Sequence, residues 1–272
     1  MQPVVALSIA GSDSGGGAGI QADIRSFNAF GVFATTALAA LTAQNTRGVR
    51  AISEVDPDFV ESQVRAVTDD FEVRAVKTGM LAGAATVRRV GALAREGLLP
   101  HLVVDPVLVA SSGDVLMSEG GIEAYRDALF PFAQIVTPNL REAAVLCDVD
   151  VRDVTNLDHV RDLARTLLAS GPSYVLVKGG HLLDTAHPER SPDVLLSHDD
   201  LIVLDGPRVS TGNDHGTGCS LSSAIAAGLA LGRSVPEATR DAKSFVLAAL
   251  TSAAAWHLGE GRGPIDHLGW GE

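Results

Sequence analysis

Short runs of aliphatic and β-branched residues alternate with longer amphipathic segments along most of this chain, and that alternation constrains the fold more than any other feature. The short runs fall at 4–9, 75–78, 102–105, 135–137 and 174–178, and the amphipathic segments fall at 20–30, 84–97, 121–130, 140–147 and 160–169. Strands that alternate with helices usually pair in parallel, with the helices packed on both sides. The sequence therefore predicts a three-layer α/β fold around a mostly parallel central sheet.

The later part of the chain breaks this alternation. Residues 194–197 and 201–204 flank a His-Asp-Asp turn and indicate an antiparallel pair near one edge of the sheet, and residues 221–231 and 238–256 predict two closing helices. The polar, proline-containing stretch 184–193 is expected to be an exposed hairpin or flap. With no linker, repeat or low-complexity block, and 46% hydrophobic residues to fill a core, we predict one domain across residues 1–272.

Two glycine-rich loops give the strongest functional indication. The first glycine loop is Gly11–Gly19, and the second glycine loop, Asp214–Ser220, leads into an apolar helix. A helix N-terminus offers unpaired N–H groups and a partial positive charge, and glycines let a phosphate approach closely. The same field is expected to lower the pKa of the Cys219 thiol on the first helical turn. One such loop is usually only a tight turn, but two of them favour phosphoryl transfer.

Charge and cysteine content exclude several classes of protein. The net charge of -12 argues against nucleic acid or an anionic membrane as a partner, because clustered Lys and Arg bind such surfaces. Two cysteines make no disulfide framework, which indicates a reducing compartment. No signal-type segment or apolar run of membrane-spanning length occurs in the sequence. We expect a cytoplasmic protein with small-molecule partners.

Four common site motifs are absent from the sequence or incomplete in it. No lysine stands in a Walker A context, and no histidines have zinc-ligand spacing. Residues 17–22 match the loose G-x-G-x-x-A dinucleotide pattern, but no carboxylate ends the next strand, so a nicotinamide oxidoreductase is a weak alternative. Asp13, not Ser, stands at the centre of Gly11–Gly15, which excludes a hydrolase elbow.

Polar residues at the predicted strand ends indicate a nucleotide side of one crevice, since ligands bind at the carboxyl ends of parallel strands. Asp105 and Glu142 offer hard oxygen donors for Mg²⁺, and Lys178 is suited to nucleotide phosphates. The backbone amides of residues 216–219 would stabilise the transferring group. Lys178 could equally be a solubilising strand-end charge, and Glu142 taken alone is better explained as a helix N-terminal carboxylate.

The acceptor pocket is expected at the other end of this crevice, near Asp23, Gln44 and Met80. A glutamine amide donates and accepts hydrogen bonds, which suits a heteroaromatic ring with amino and ring-nitrogen groups. Asp23 could instead be a solvated helix residue, and a methionine such as Met80 is more often simple core.

Six blocks of sequence, in order along nearly the whole chain, strongly resemble the hydroxymethylpyrimidine/phosphomethylpyrimidine kinases of the ribokinase superfamily. They are Ala10–Asp23, Leu41–Thr46, Val104–Val107, Thr137–Leu140, Val177–His181 and His215–Cys219. The resemblance implies a ribokinase-like fold, a homodimer, and ATP-dependent phosphorylation of 4-amino-5-hydroxymethyl-2-methylpyrimidine, followed by phosphorylation of its monophosphate to the diphosphate. This is a reaction sequence of thiamine biosynthesis.

The same resemblance implies roles for individual residues. Substrate contacts are expected from Gly11, Ala18, Asp23, Gln44, Met80 and Val107, and the metal region from Asp105 and Glu142. Contacts with ATP are expected from Asn139, Lys178, Thr211 and Gly218, and the catalytic group comprises Gly216, Thr217, Gly218 and Cys219. Many relatives have an Asp base where Cys219 stands, so this thiol is expected to be a base or a positioning group and not a covalent nucleophile.

The chain departs from the family pattern in two places. Asp214 stands where a Thr is expected, which adds a negative charge near the phosphates, and Gly259–His267 only loosely resembles the Gly/His-rich family ending. Pyridoxal kinase of the same superfamily is the nearest alternative function. A catalytically silent pyrimidine-binding protein is a weak one, because Asp105, Lys178 and the second glycine loop are all present.

Overall fold

The computed structural model describes residues 2–108, 117, 120–179 and 189–271. Within these ranges, nine strands form one sheet in the order β3-β2-β1-β4-β5-β6-β7-β8-β9. Five neighbouring pairs are parallel, while β2–β3, β7–β8 and β8–β9 are antiparallel. The predicted α/β fold with a mostly parallel sheet and an antiparallel pair at one edge is confirmed. The strands are β1 Val5–Asp13, β2 Phe33–Asn45, β3 Gly48–Glu54, β4 Val73–Thr78, β5 Val103–Val104, β6 Ile135–Val136, β7 Tyr174–Lys178, β8 Asp193–Ser197 and β9 Leu201–Leu204.

Helices cover both faces of this sheet. They are α1 Gly19–Ala29, α2 Pro57–Thr68, α3 Ala84–Arg95, α4 Gly121–Ala124, α5 Leu140–Leu146, α6 Leu157–Leu168, α7 Thr217–Ala230 and α8 Val235–Ser252. Several begin at side-chain caps: Asp56 precedes Pro57 in α2, and Ser234 and Glu237 form a capping box on α8. The two predicted closing helices correspond to α7 and α8, each beginning a few residues earlier than the apolar pattern indicated.

The two faces of the sheet hold separate hydrophobic clusters, because successive strand residues point to opposite sides. In β4 and β5, Val76 and Val104 pack into one cluster with α2, α3, α5 and α6. Their neighbours Ala75 and Val103 pack into the other cluster with α1, α7 and α8. Both faces of the central strands are therefore buried, which explains why these strands read as continuous apolar runs.

The alternation in the sequence did not reveal β2, β3 or α2. Strand β2 contains five alanines between Phe33 and Asn45, and alanine favours helix over strand locally. Its parallel pairing with β1 and antiparallel pairing with β3 supply the hydrogen bonds that local preference does not. Residues 184–188 of the expected flap lie outside the described residues.

The topology brings the carboxyl ends of β1, β4, β5, β6 and β7 to one edge of the sheet. The first glycine loop follows β1, and the second glycine loop opens α7, which packs against β1, β4 and β5. Every helix in the described ranges is too short or too polar to cross a membrane. The crevice predicted from the strand ends therefore has α7 on one side.

Candidate active site

The two glycine loops pack against each other at this edge. Gly216 begins α7 with a φ of 89°, a conformation that favours glycine, and a Cβ there would collide with the carbonyl oxygen of Gly17. A Cβ on Gly17 would in turn collide with the His215 ring. Ala18 lies beside the same contact, with its Cα 3.3 Å from the Cβ position of Gly216. These glycines are required by close approach of backbone, and they bring the two loops into one site.

Asp13, at the end of β1, organises the first glycine loop. Its carboxylate accepts hydrogen bonds from the amides of Gly15, Gly17 and Ala18 at 2.8, 3.0 and 2.9 Å. It also lies 2.9 Å from Nε2 of His215. Burial would raise the pKa of Asp13, but the bonds from His215 and the loop amides outweigh it and hold that pKa below its usual value. The carboxylate thus connects both loops.

Gln44 lies beside the Asp13–His215 pair, on the side that is open to solvent. Its Nε2 lies 3.4 Å from Nε2 of His215, and its Oε1 accepts a bond of 3.1 Å from the Thr42 hydroxyl. The side chain is partly exposed. The Thr42 hydroxyl therefore orients the amide, which can still offer a donor or an acceptor to a ring.

An apolar patch lies next to Gln44, at the ends of β1, β2 and β4. Met80 packs with Ala40, Ala82 and the partly buried Val107. Gly11 lies against the same methionine, because a Cβ at Gly11 would be 3.3 Å from the Met80 sulfur. The structure thus brings together four of the predicted substrate contacts, Gly11, Gln44, Met80 and Val107, while Ala18 lies at the junction of the two loops.

Lys178, at the end of β7, lies beside the first turn of α7. Its ammonium is 3.1 Å from Asp105, and a Cβ on Gly218 would be 3.3 Å from the Lys178 nitrogen. Asp105 is 2% exposed and also accepts hydrogen bonds from Thr137 and Ser222, each 3.2 Å long. Burial would lower the pKa of Lys178, but the Asp105 and Glu142 carboxylates raise it above its ordinary value. The lysine therefore keeps its charge next to the amides of the second glycine loop.

Glu142 and Asn139 form a capping box at the start of α5. The Asn139 amide donates to Glu142 at 2.8 Å, and the Glu142 amide donates to the Asn139 side chain at 2.9 Å. Burial raises the pKa of Glu142 to about 7, although the Lys178 ammonium opposes that shift. The interpretation of Glu142 as a helix N-terminal carboxylate is confirmed. The nearby Asp105 carboxylate also contributes to the raised pKa of Glu142.

These carboxylates match the way Mg²⁺ is held in nucleotide enzymes. Among the described residues, no group of three or more His, Cys, Asp and Glu could hold a metal. Mg²⁺ usually takes only one or two protein carboxylates, with water and substrate phosphates supplying its remaining ligands. Asp105 and Glu142 fit that donor set.

The expected lowering of the Cys219 pKa was wrong. The thiol retains partial access to solvent but is closely surrounded by protein, and this desolvation raises its pKa to about 11. The Lys77 ammonium and a hydrogen bond from the Gly19 amide oppose the shift without overcoming it. At neutral pH the Cys219 side chain is therefore a neutral thiol.

Asp23 has no exposed surface to offer to a substrate ring. Both of its oxygens lie 2.9 Å from the Lys77 ammonium, and they accept bonds of 2.5 Å from Ser8 and 2.6 Å from Ser223. Asp23 and Lys77 are both 0% exposed. The carboxylate is neither a solvated helix residue nor a direct ring contact in this structure. It holds Lys77 below the crevice, where the ammonium acts on Cys219.

Thr211 lies on the connection between β9 and α7. Its hydroxyl accepts a 3.0 Å bond from the Asn213 amide and lies 3.4 Å from the carbonyl oxygen of Ala254. Neither contact joins it to Lys178, so its role toward ATP stays a prediction.

Sequence reasoning placed Lys77 only at a strand end of the crevice, and it predicted neither the pairing of Lys77 with Asp23 nor the bond between Asp13 and His215. A signal for Lys77 was present, because the chain has three lysines and this one stands inside the short run predicted as a strand at 75–78. No local pattern links Asp13 with His215, which are 202 residues apart in sequence.

A mostly parallel sheet with a phosphate-type glycine loop opening a buried helix beside a lysine and two carboxylates defines a small-molecule kinase of the ribokinase-like class. A family model described as phosphomethylpyrimidine kinase matches residues 13–266. The chain belongs to that phosphomethylpyrimidine kinase family.

Individual relatives agree with this placement. The chain is 45% identical over 265 residues to hydroxymethylpyrimidine/phosphomethylpyrimidine kinase of Rhizobium meliloti, covering 97% of each protein. Its fold matches an ADP complex of Bacillus subtilis pyridoxal kinase with a TM-score of 0.87 and 34% identity, covering 98% of each chain. It also matches phosphomethylpyrimidine kinase from Clostridium difficile with a TM-score of 0.78 and 35% identity, covering 91% of this chain and 99% of the other.

Proposed function

We propose that this protein transfers the terminal phosphoryl group of ATP to 4-amino-5-hydroxymethyl-2-methylpyrimidine, and then to the resulting monophosphate, in thiamine biosynthesis. One observation carries the proposal: the Lys178 ammonium and the Asp105 carboxylate meet the first turn of α7, at Gly218. That contact joins a cation, a hard oxygen donor and a set of helix N-terminal amides. Phosphoryl transfer requires this combination, because its catalysis is mainly positioning and charge neutralisation.

The nucleotide is assigned to the side of the crevice formed by β5, β6 and β7. Lys178 neutralises phosphate charge, while Asn139 and Thr211 are further proposed contacts. The amides of Gly216, Thr217 and Gly218 donate to the oxygens of the transferring phosphoryl group. Asp105 and Glu142 would hold Mg²⁺, which supplies charge neutralisation across the phosphates when bound.

The pyrimidine is assigned to the patch made by Gly11, Met80 and Val107, with Ala18 at its edge. Gln44 would hydrogen-bond the amino and ring-nitrogen edge of the ring, since its amide is both donor and acceptor. The Thr42 hydroxyl donates to its oxygen, so the protein orients the amide before substrate binds.

Cys219 is assigned to the acceptor hydroxyl. As a neutral thiol with a pKa of about 11, it positions that hydroxyl by hydrogen bonding in the ground state. The transition state of phosphoryl transfer is largely dissociative, so the hydroxyl proton needs to leave only late in the reaction. Because the neutral thiol already carries a proton, Cys219 orients the hydroxyl and takes no proton from it, and we assign that proton to an oxygen of the transferred phosphoryl group. No covalent intermediate on Cys219 is required.

The test is a coupled assay that measures ADP release from ATP with the pyrimidine alcohol, while chromatography follows the monophosphate and diphosphate separately. We expect both products in sequence, with ATP consumption dependent on the alcohol. ATP consumption without either pyrimidine phosphate would reject the proposal.

Pyridoxal kinase is the second candidate, and a specific observation favours it. The pyridoxal kinase of Bacillus subtilis shares this fold with a TM-score of 0.87. Pyridoxal also carries a hydroxymethyl group on a heteroaromatic ring, so it presents similar chemistry to Gln44 and the apolar patch. The higher identity of 45% to a pyrimidine kinase favours the pyrimidine as the main substrate.

We also propose that residues 1–272 form a single kinase domain, which the one continuous sheet supports. A homodimer in the cytoplasm, without nucleic acid or membrane partners, stays a prediction from the sequence.

A further inference from the structure

The segment 259–264 lies along the second glycine loop and fixes its backbone. The His215 amide donates to the Gly263 carbonyl at 3.0 Å, and the Gly263 amide donates to the Gly212 carbonyl at 3.1 Å. A Cβ on Gly263 would collide with the Asn213 side chain, so glycine is needed for this approach. The loop that begins α7 is thus braced by a segment far away in sequence.

An ion pair joins the same two parts of the chain. Arg262 donates from Nε to one oxygen of Asp214 at 2.8 Å and from a terminal nitrogen to the other at 2.5 Å. Two parallel bonds from a guanidinium to a carboxylate give a defined geometry as well as charge neutralisation. The Asp214 side chain is 17% exposed, and that of Arg262 is 48% exposed.

Asp214 is an unfavourable residue for a loop that receives phosphate. Its own carbonyl oxygen accepts a bond of 3.1 Å from the Thr217 hydroxyl, so the residue lies directly before the first turn of α7. A carboxylate at that position offsets the partial positive charge of the helix N-terminus. It also repels a polyphosphate. The guanidinium of Arg262 offsets this charge where it arises.

The segment also reaches the acceptor side of the crevice. The Arg262 amide donates to the Thr46 carbonyl at 2.9 Å, and Gly261 donates to the Thr46 hydroxyl at 3.2 Å. Thr46 lies two residues after Gln44, and the adjacent Arg47 pairs with Glu260. Arg262 is therefore anchored by its backbone on one side while its guanidinium holds Asp214 on the other.

We propose that Arg262 is a positioning residue for ATP, which acts by neutralising Asp214 and by holding the second glycine loop open to polyphosphate. Asp214 and the segment 259–264 meet in this one ion pair. The guanidinium thereby compensates for the carboxylate. This inference rests on the proposed use of ATP by the protein.

The test is a double-mutant cycle on the full chain with Arg262→Gln, Asp214→Asn and the double variant. We expect Arg262→Gln to raise the KM and Kd for ATP by about threefold to tenfold, since one carboxylate near the phosphates loses its counter-charge. We expect kcat to change less, and the added Asp214→Asn substitution to restore ATP affinity. The effect of Arg262→Gln should shrink as salt screens the charge.

A matched control is Arg233→Gln, which breaks a similar exposed pair with Asp241. Arg233 follows the far end of α7, whose 14 residues span about 21 Å at a rise of about 1.5 Å per residue. We expect unchanged ATP affinity there. Unaltered ATP affinity in Arg262→Gln, or a double variant as weak as the single one, would overturn the proposal.

Two further measurements keep this result separate from the function and from folding. Calorimetric titration of ATP without an acceptor reports on Arg262 even if the pyrimidine is not phosphorylated. Thermal unfolding checks that each variant is folded. If Arg262→Gln does not fold, Asp214→Asn alone should bind ATP at least as tightly as wild type, with a weaker salt dependence, and weaker binding would overturn the proposal.

Discussion

Cys219 shows how burial can outweigh a helix field at the scale of one residue. Its place on the first turn of α7 indicates a lowered pKa, whereas the surrounding protein raises it to about 11. Near neutral pH, the structure therefore offers a thiol that donates or accepts a hydrogen bond, and not a thiolate nucleophile. This distinction separates positioning of a hydroxyl from covalent catalysis.

We predict that Cys219→Ala lowers kcat by about tenfold to a hundredfold and raises the KM for the pyrimidine less, because the thiol orients the acceptor hydroxyl for attack. Steady-state kinetics at saturating ATP measure both constants. Cys147→Ala is the matched control. Cys147 follows α5, and its thiol contacts the carbonyl of Leu163 in α6, outside the site. An unchanged kcat in Cys219→Ala would remove this residue from the chemistry.

Gln44 is expected to act in binding. We predict that Gln44→Ala weakens pyrimidine binding by about threefold to tenfold with little change in kcat, the range of one or two lost neutral hydrogen bonds. Titration of the pyrimidine alcohol in the absence of ATP measures this Kd. Gln134→Ala is the control, because Gln134 bonds His101 at the amino end of β6, on the opposite edge of the sheet. Equal affinity in wild type and Gln44→Ala would refute this contact.

Single residues also mark how far the sequence could lead. Lys178, Asp105 and the second glycine loop were correctly expected to lie together, because parallel strands end at one edge. Asp23 was placed in the substrate pocket, but its burial with Lys77, Ser8 and Ser223 depends on three different elements. Local sequence carries no information on such a contact, and the same holds for the pairing of Asp13 with His215.

At the scale of elements, α7 and the segment that braces it determine the shape of the site. His267 shares a hydrogen bond of 2.7 Å with the Ser220 hydroxyl on the first turns of α7. The imidazole is 6% exposed, and burial lowers its pKa to about 4. The folded protein therefore keeps this histidine neutral where an unfolded chain would protonate it.

The sign of the resulting pH dependence follows from this depressed pKa. Between pH 6.5 and about 4 the unfolded chain binds the proton that folded His267 refuses, so stability is complete above this window and falls as pH falls. We predict that His267 accounts for roughly 2 kcal/mol of the free energy of unfolding lost between pH 7 and pH 5.

Urea unfolding of wild type and His267→Gln at both pH values measures that contribution. The variant should lose less stability on acidification by about this amount, whereas the exposed His159→Gln should behave as wild type. Parallel losses in wild type and His267→Gln would contradict the assignment.

Elements were predicted well where their own pattern was strong. Strand β7 was predicted with its exact bounds and β9 likewise, because apolar runs end there at polar turns. The strand end at Gln44 and Asn45 was expected, but the extent of β2, its partner β3 and helix α2 were missed, since the alanine-rich β2 owes its conformation to pairing with β1. Strands β5 and β6 are only two residues long, so their neighbours in the sheet define them.

At the scale of the whole molecule, the sheet order separates two functions along one edge. The strands β1, β2 and β4 support the apolar patch and Gln44, whereas β5, β6 and β7 carry Asp105, Asn139 and Lys178. Helix α7 packs against β1, β4 and β5, between these two groups, so we propose that the acceptor and the nucleotide meet at its N-terminus. The fold predicts where the phosphoryl group is transferred. The side chains on the two groups of strands determine which nucleotide and which acceptor bind there.

Substrate preference is the property that the shared fold alone cannot predict, because pyridoxal kinases and phosphomethylpyrimidine kinases both match this structure. We predict that Gln44 and the patch of Gly11, Met80 and Val107 set the preference between the pyrimidine alcohol and pyridoxal. A site built to hydrogen-bond one heteroaromatic edge discriminates against a ring that leaves those groups unpaired.

The most direct measurement is therefore kcat/KM for the pyrimidine alcohol and for pyridoxal, with the same enzyme at saturating ATP. We predict a kcat/KM at least about tenfold higher for the pyrimidine alcohol, with some turnover of pyridoxal. A higher kcat/KM for pyridoxal would contradict the proposal that the pyrimidine alcohol is the main substrate.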